Sequence, residues 1–173
     1  MKYQWCHNTY YDMNELYGKL FNPSLNTIEI CGEVLDEERP FLPEFGGIYF
    51  VYAGPLSRGD GWFRIQPARL LYIGEAKSLY ERHNDEYGNP IHEHYKDFVA
   101  SLSQGETLVY AFARVPNAYL RKTIESALIY KFQPPINIKQ KQTYTHRDMH
   151  LSINVASKDI LFPLIGEYDI QRD

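Results

Sequence analysis

Three short apolar runs constrain the fold of this chain more than any other feature. Residues 46–53, 69–74 and 107–114 each consist mainly of aliphatic and aromatic residues. Runs of this length, bounded by glycine, proline or polar residues, are typical of buried β-strands. The stretch 54–68 holds several glycines and prolines and is interpreted as a loop. The first two runs are therefore predicted to form a hairpin with a long tip.

Helix-capping residues punctuate the polar stretches between these runs. Ser78 and Glu81 have the spacing of a capping box, and Asn117 precedes a stretch with apolar residues at four-residue spacing. The tail 139–173 alternates only weakly and is interpreted as a further strand or packed coil. Four helices are predicted: 12–18, 78–87, 91–102 and 117–132.

The order of these elements predicts an α+β fold, a class set by strands followed by helices that pack on them. The specific expectation is a three-stranded antiparallel sheet flanked by helices. The 173 residues fit a single domain over 1–173. Within it we expect a core at 46–138, with extensions at 1–45 and 139–173.

Composition excludes several classes of protein. Hydrophobic residues make up 44% of the chain, which excludes an intrinsically disordered protein, and a net charge of −4 excludes a globally basic nucleic-acid coat. Two cysteines are too few for a disulfide scaffold. The absence of an apolar N-terminal run or a run of about 18 apolar residues leads us to expect a cytoplasmic protein without a membrane partner.

Acidic residues concentrate between 29 and 44, where six carboxylates face one arginine. Pro40 and Pro43 argue against a continuous element over 31–45. The segment is interpreted either as a solvated loop or as a region that keeps phosphate away from one face of the protein.

Two tripeptides on the first two predicted strands carry a family resemblance. Gly47-Ile-Tyr49 and Tyr72-Ile-Gly74 match the two name-giving motifs of the GIY-YIG nucleases. Arg82 stands at the family's arginine position in the following helix. Glu125 in the last helix and Asn137 after a proline pair have an offset similar to that of the excinuclease members. The resemblance covers about 46–138.

The same residue types suit phosphodiester hydrolysis on chemical grounds. A lone carboxylate can hold one hydrated Mg²⁺, because this ion keeps several of its waters. Arginine offers a permanent cation with a planar fork that matches phosphate. A tyrosine has a pKa of about 10, so its use as a base needs a nearby positive charge or metal.

The resemblance implies a role for each of these residues. Glu125 is the metal ligand for Mg²⁺ or Mn²⁺, and Arg82 stabilises the transition state. Tyr49 activates or positions the attacking water, and Tyr72 assists. Asn137 anchors the site. The implied products carry a 5′-phosphate and a 3′-hydroxyl.

The sequence departs from the family pattern at two places between 75 and 86. Glu75 stands where many members have lysine, and Lys77 is the candidate to supply that charge instead. Many members also have a histidine one helical turn after the arginine, where this chain has Glu86. If the helix continues, Glu86 shares the face of Arg82 and His83 does not. Lys77, His83 and Glu86 are thus candidate supporting residues.

Further residues are candidates for contact with nucleic acid. Arginines beside a tryptophan in the loop, and basic residues around an aromatic in the tail, suit backbone contact and stacking. A solvated tail is the alternative. His92 and His94 are interpreted as surface helix residues rather than metal ligands. The candidate nucleic-acid contacts are Arg58, Trp62, Arg64, Lys139, Lys141 and Arg147.

These observations lead to one functional hypothesis with two alternatives. The first is a metal-dependent endonuclease of restriction or phage-associated type that cuts duplex DNA, with a homodimer expected for a palindromic site. The first alternative is a nucleic-acid or protein binding module with weak or lost catalysis. The second is a structure-specific repair nuclease or an RNA nuclease.

Overall fold

The computed structural model describes residues 26–59, 62–65, 69–158, 160 and 162–173. The helix predicted over 12–18 therefore lies outside the described residues. The backbone strands that contain Arg58, Trp62 and Arg64 are described, but the side chains of 56–68 are not.

Seven strands and three α-helices make up the regular structure of the described residues, together with one 3-10 helix at Asp36–Phe41. The strands are β1 Asn26–Leu35, β2 Gly47–Gly59, β3 Trp62–Ile65, β4 Arg69–Ala76, β5 Glu106–Arg114, β6 Met149–Val155 and β7 Gly166–Ile170. The helices are α1 Leu79–His83, α2 Tyr95–Ala100 and α3 Ala118–Phe132. None of the described helices is long and apolar enough to cross a membrane.

The strands form one sheet in the order β3-β2-β5-β1-β6-β7, and β4 pairs with β2 outside this order. The β1–β6 pair is parallel, and the remaining pairs are antiparallel. The predicted fold class, an α+β core with a three-stranded antiparallel sheet flanked by helices, is therefore wrong. The described chain is a mixed α/β fold with a larger sheet and few helices.

The first strand escaped prediction because its acidic residues hide its periodicity. Ile28 and Ile30 are buried, whereas Thr27 is exposed and Glu29 is half-buried, which is the two-residue alternation of a strand. β1 lies between β5 and β6 in the sheet. Pairing on both sides stabilises this segment despite the low strand propensity of its charged residues.

The stretch predicted as a loop over 54–68 is partly strand. β2 continues to Gly59, and its last residues pair with β3, so that Leu56 lies opposite Ile65. The predicted pairing of the first two apolar runs is confirmed, because β2 and β4 are antiparallel neighbours. The tail contributes two strands, β6 and β7.

Helix α3 agrees with its prediction over 117–132. The side chain of Asn117 accepts a hydrogen bond from the backbone N–H of Leu120 at 2.9 Å, which caps the first turn. Gln133 ends the helix in the left-handed region with φ of 51°.

The first two helices are shorter than predicted. α1 ends at His83 rather than near Tyr87, and α2 fills only part of 91–102. The side chain of Asp85 accepts hydrogen bonds from the backbone N–H groups of Tyr87 and Asn89. These local bonds compete with helical ones and turn the chain away from the helix axis.

Both faces of the sheet are buried, and this burial positions the candidate site. Ile48 and Phe50 of β2 pack in the cluster that includes the apolar side of α3. Tyr49 and Val51 point to the opposite face, where they pack with Phe98 of α2. A strand covered on both faces is apolar at every position, which explains the continuous run in its sequence.

Candidate active site

The two motif tyrosines are neighbours in the structure. Tyr49 lies opposite Gly74 in the β2–β4 register, and the rings of Tyr49 and Tyr72 are stacked with centroids 6.0 Å apart. A Cβ atom on Gly74 would lie 2.3 Å from the Tyr49 hydroxyl oxygen, and one on Gly47 would lie 2.2 Å from the carbonyl oxygen of Ala113. Gly74 is therefore required by close packing against Tyr49, and Gly47 by the close approach of the β5 backbone.

A buried histidine contacts the hydroxyl of Tyr49. The oxygen of Tyr49 lies 2.8 Å from Nε2 of His92. The other ring nitrogen, Nδ1, accepts a hydrogen bond from the backbone N–H of His94 at 3.1 Å. Because a neutral imidazole carries one proton, this proton is on Nε2 and is donated to Tyr49. Burial lowers the pKa of His92 to about 2, so the ring is neutral at physiological pH.

Arg82 is the second donor directed at Tyr49. Its Nε lies 3.5 Å from the Tyr49 hydroxyl, at the outer limit of a hydrogen bond. Its Nη2 donates to a carboxylate oxygen of Glu93 at 2.7 Å. The Arg82 side chain is 36% exposed and that of Glu93 is 63% exposed, so this ion pair is weak. Glu93 thus pairs with the guanidinium of Arg82 through a weak ion pair, which a phosphate can replace.

Burial governs the protonation of both tyrosines. Tyr49 is 1% exposed, and burial raises its pKa well above the usual value. The neighbouring Tyr72 acts in the same direction, and Arg82 opposes it. The pKa of Tyr72 is also raised, first by burial and then by the charge of Glu125. Both side chains are therefore neutral phenols at physiological pH.

Glu125 projects from α3 toward the end of β4. Its Oε1 accepts a hydrogen bond from the backbone N–H of Glu75 at 3.1 Å. Burial raises the pKa of Glu125 to about 7, the carboxylate of Glu75 adds to this, and the charge of Arg82 opposes it. Among the described residues, Glu125 forms no ion pair. We refer to Tyr49, Tyr72, Arg82 and Glu125 together as the tyrosine site.

The surroundings of Glu125 suit a hard divalent cation. A half-buried carboxylate without an ionic partner is stabilised in its charged form by a cation, and carboxylate oxygen is a preferred ligand of Mg²⁺. The part of the chain that the structure describes holds no group of three histidine, cysteine or acidic side chains arranged as a metal site. A cation held here would have one protein ligand, Glu125, and would otherwise be bound by waters.

The acidic residue at the family's lysine position is neutralised locally. A carboxylate oxygen of Glu75 lies 2.8 Å from Nε of Arg121, whose side chain is 7% exposed. Nη1 of Arg121 also donates to the carbonyl oxygens of Val115 and Pro116. Arg121 precedes Glu125 by one helical turn, which places both on the same face of α3.

The expectation that Glu86 shares a helix face with Arg82 is wrong because α1 ends at His83. Glu86 lies in an exposed turn, so it does not share a helix face with Arg82. His83 is buried, and its ring centroid is 4.4 Å from that of Tyr49. Nδ1 of His83 donates to the carbonyl oxygen of Leu79 at 2.9 Å. His83 packs behind the tyrosine ring, and Glu86 does not contact the site.

Asn137 ties the chain after α3 to the edge of β4. Its side-chain oxygen accepts from the backbone N–H of Ile73 at 2.9 Å, and its side-chain nitrogen donates to the carbonyl oxygen of the same residue at 2.8 Å. The backbone N–H of Ile136 also donates to the carbonyl of Leu71. The amide thus satisfies the residue between Tyr72 and Gly74, as an additional strand would.

The candidate nucleic-acid contacts of the tail differ in position. Lys139 is exposed, and its charge lowers the pKa of Glu93, so it lies near the tyrosine site. Nζ of Lys141 donates to the carbonyl oxygen of Pro135 and ties the tail to the end of α3. Arg147 is exposed, and its carbonyl oxygen accepts from the hydroxyl of Tyr144.

Three residues at the site were not found by sequence reasoning. His92 was interpreted as a surface helix residue, but it is 5% exposed and precedes α2. Its contact depends on the path of the chain after α1, which no local spacing encodes. The position of Glu93 beside Arg82 depends on the same path of the chain after α1. Arg121 carried a usable signal, since it lies four residues before Glu125 on one helix.

Comparisons of the chain with protein-family models, with curated proteins and with solved structures find no match. The resemblance to GIY-YIG nucleases therefore depends on the motif residues and their arrangement.

Proposed function

We propose that this protein is a metal-dependent endonuclease that hydrolyses phosphodiester bonds of DNA at the tyrosine site. The observation that carries this proposal is the convergence of four side chains from separate parts of the sequence. Tyr49 and Tyr72 are stacked at 6.0 Å, Arg82 lies 3.5 Å from the Tyr49 hydroxyl, and the charge of Glu125 acts on Tyr72.

Arg82 provides the positive charge for the scissile phosphate. It already contacts one carboxylate, Glu93, with a planar group that suits phosphate equally well. When a phosphate enters, Arg82 exchanges Glu93 for a phosphoryl oxygen. As negative charge grows on that oxygen in the transition state, the fixed guanidinium stabilises it more than the ground state.

Glu125 is the residue that would hold a single Mg²⁺ or Mn²⁺. A bound ion of this kind supplies neutralising charge at the phosphate and a water of lowered pKa. Because the carboxyl of Glu125 has a pKa of about 7, it is increasingly protonated below that pH and loses its capacity as a ligand. We expect activity to fall as the pH decreases through neutrality.

Tyr49 and Tyr72 position the reactants as neutral phenols. The oxygen of Tyr49 accepts the proton of His92 Nε2, so its own hydroxyl hydrogen remains available for a phosphoryl oxygen or the attacking water. Water adds to phosphorus and gives up a proton to solvent, the bond to the 3′ oxygen breaks, and that oxygen takes a proton from solvent, which leaves a 5′-phosphate and a 3′-hydroxyl. We propose duplex DNA as the substrate and a homodimer at palindromic sites.

Nicking of supercoiled plasmid tests this function. Wild-type protein with Mg²⁺ is expected to convert the plasmid to open circles, and chelation is expected to stop it. Glu125→Gln and Arg82→Ala are each expected to reduce the rate by at least about 10³-fold. Glu86→Gln is the matched control, because Glu86 is exposed and away from the site. No cleavage by the wild-type protein, or equal loss in the control, contradicts the proposal.

The burial of Tyr49 favours a second candidate, a nucleic-acid binding module that has lost catalysis. At 1% exposure, the Tyr49 hydroxyl, which contacts His92 and Arg82, meets substrate only if these surrounding side chains move. A protein that binds DNA and does not nick it with any divalent metal supports this candidate. Cleavage of RNA or of branched DNA in preference to duplex would instead support the repair or RNA nuclease.

A further inference from the structure

A surface cleft with basic walls lies one helical turn from Glu125. It is formed where the start of β2, the ends of β4 and β5 and the first turns of α3 meet. We call it the basic cleft, and its main lining residues are Phe45, Lys77, Arg114, Pro116, Arg121 and Lys122.

The charge of the basic cleft is only partly balanced. Arg121 is neutralised by Glu75, as described above. Lys77, Arg114 and Lys122 are exposed, and none of them forms an ion pair with another described residue. The guanidinium of Arg114 instead lies over the ring of Phe45 at 5.6 Å. Three positive charges therefore remain available to an anionic ligand.

Helix α3 contributes residues both to the basic cleft and to the tyrosine site. Lys122 and Glu125 are three residues apart, and side chains at this spacing are neighbours about 5–6 Å apart. The charge of Lys122 also acts to lower the pKa of Glu125. A strand with one phosphate at Arg82 and Glu125 is thus led toward the basic cleft by its next phosphates.

We propose that the basic cleft binds the sugar–phosphate backbone of the nucleic-acid strand next to the phosphate that is cut. This inference depends on the proposed function for the position of that phosphate. The chain as a whole has a net charge of −4, so its affinity for a polyanion has to come from a local patch. The basic cleft supplies such a patch beside the site, and the acidic segment 29–44 does not line it.

Binding without cleavage tests the basic cleft independently of catalysis. The affinity for a fluorescein-labelled DNA duplex is measured by fluorescence anisotropy in EDTA, between about 50 and 200 mM salt. The variant is Lys77→Gln/Lys122→Gln. The matched control is Lys131→Gln/Lys158→Gln, which removes the same charge from exposed positions outside the basic cleft. Thermal melting verifies that all proteins are folded.

The expected result is a loss of affinity of at least about tenfold and a decrease of about 2 in the slope of log K against log salt, because each phosphate contact contributes about 0.9. The control is expected to retain the wild-type slope. The proposal that the basic cleft binds DNA is overturned if the variant and the control have equal slopes, or if the wild-type protein does not bind DNA. If DNA binding depends on the basic cleft but the protein nicks no plasmid, the proposed function is contradicted. The proposed binding role of the basic cleft is then retained.

Discussion

The tyrosine site and the basic cleft differ in how they use burial. At the tyrosine site, Tyr49 and His92 are at most 5% exposed, and their protonation is set by desolvation. At the basic cleft, Lys77 and Lys122 are exposed to solvent. Buried groups can be tuned for chemistry, whereas exposed cations provide attraction that salt screens. Each region should therefore respond to a different experimental variable.

The largest effect expected from this contrast is a pH-dependent stability at Glu125. Its pKa is about 7 in the folded protein and about 4.5 when unfolded, so the folded state binds the proton more tightly. Stability is then highest below about pH 4.5 and decreases as the pH rises to about 7. Glu125→Gln removes this penalty and should stabilise the protein at pH 8 by up to about 3 kcal/mol.

Thermal melting at pH 5 and pH 8 measures this effect. At pH 5 the variant and the wild type should differ little. Mg²⁺ or Mn²⁺ at pH 8 should raise the melting temperature of the wild type more than that of Glu125→Gln. A Glu125→Gln protein that is no more stable than wild type at pH 8 shows that the carboxylate is not desolvated as described.

The next effect concerns the hydrogen bond from His92 to Tyr49. His92→Phe keeps the ring volume and removes the donor, and we expect a loss of cleavage rate of about 10²-fold. His92→Gln can still donate through its side-chain amide and should restore part of the rate. The salt dependence of DNA binding should be unchanged in both. If the salt dependence of DNA binding changes in either variant, His92 also affects binding, and the distinction between the tyrosine site and the basic cleft is contradicted.

The next prediction concerns the two hydrogen bonds between the side chain of Asn137 and the backbone of Ile73 at the edge of β4. Asn137→Ala leaves the buried backbone N–H and C=O of Ile73 without partners and should cost about 2–3 kcal/mol of unfolding free energy. Asn154→Ala is the control, because Asn154 is exposed and its side chain, among the described residues, bonds only Ser152. Chemical denaturation measures both. Equal effects would mean that the pair of bonds to Ile73 contributes little.

The smallest effect is expected at the ion pair between Glu93 and Arg82. Glu93→Gln weakens an exposed ion pair worth less than about 1 kcal/mol, so the KM for DNA should decrease by about two- to threefold with an unchanged kcat. Glu86→Gln removes the same charge from the neighbouring turn and should have no such effect. An increase in KM for Glu93→Gln would indicate that Glu93 helps to hold the substrate.

Local sequence signals were sufficient for the central strands and for α3. The runs at 46–53, 69–74 and 107–114 are covered on both faces of the sheet, so burial leaves a continuous apolar sequence. The cap at Asn117 marks the start of α3 directly. The extent of the sheet could not be predicted in the same way, because β1 depends on pairing with β5 and β6 rather than on its own composition.

The candidate site shows the same division between local and tertiary information. Tyr49, Tyr72, Arg82 and Glu125 were selected by a family pattern. The structure brings Tyr49 into contact with Tyr72 and Arg82, and it places Glu125 beside the backbone of Glu75 at the end of β4. His92 reaches Tyr49 only because the chain turns sharply after α1. This turn depends on the side-chain hydrogen bonds of Asp85, so no periodic pattern in the sequence predicts it.

The central claim is that the four side chains of the tyrosine site act as one catalytic unit. The most direct measurement is the single-turnover rate of duplex DNA cleavage with Mg²⁺ for the wild type, Arg82→Ala, Glu125→Gln and the double variant. Groups that act together lose their effect together. We predict that the double variant is no slower than the slower single variant within about threefold. Losses that multiply in the double variant, or rates unchanged in either single variant, contradict the claim.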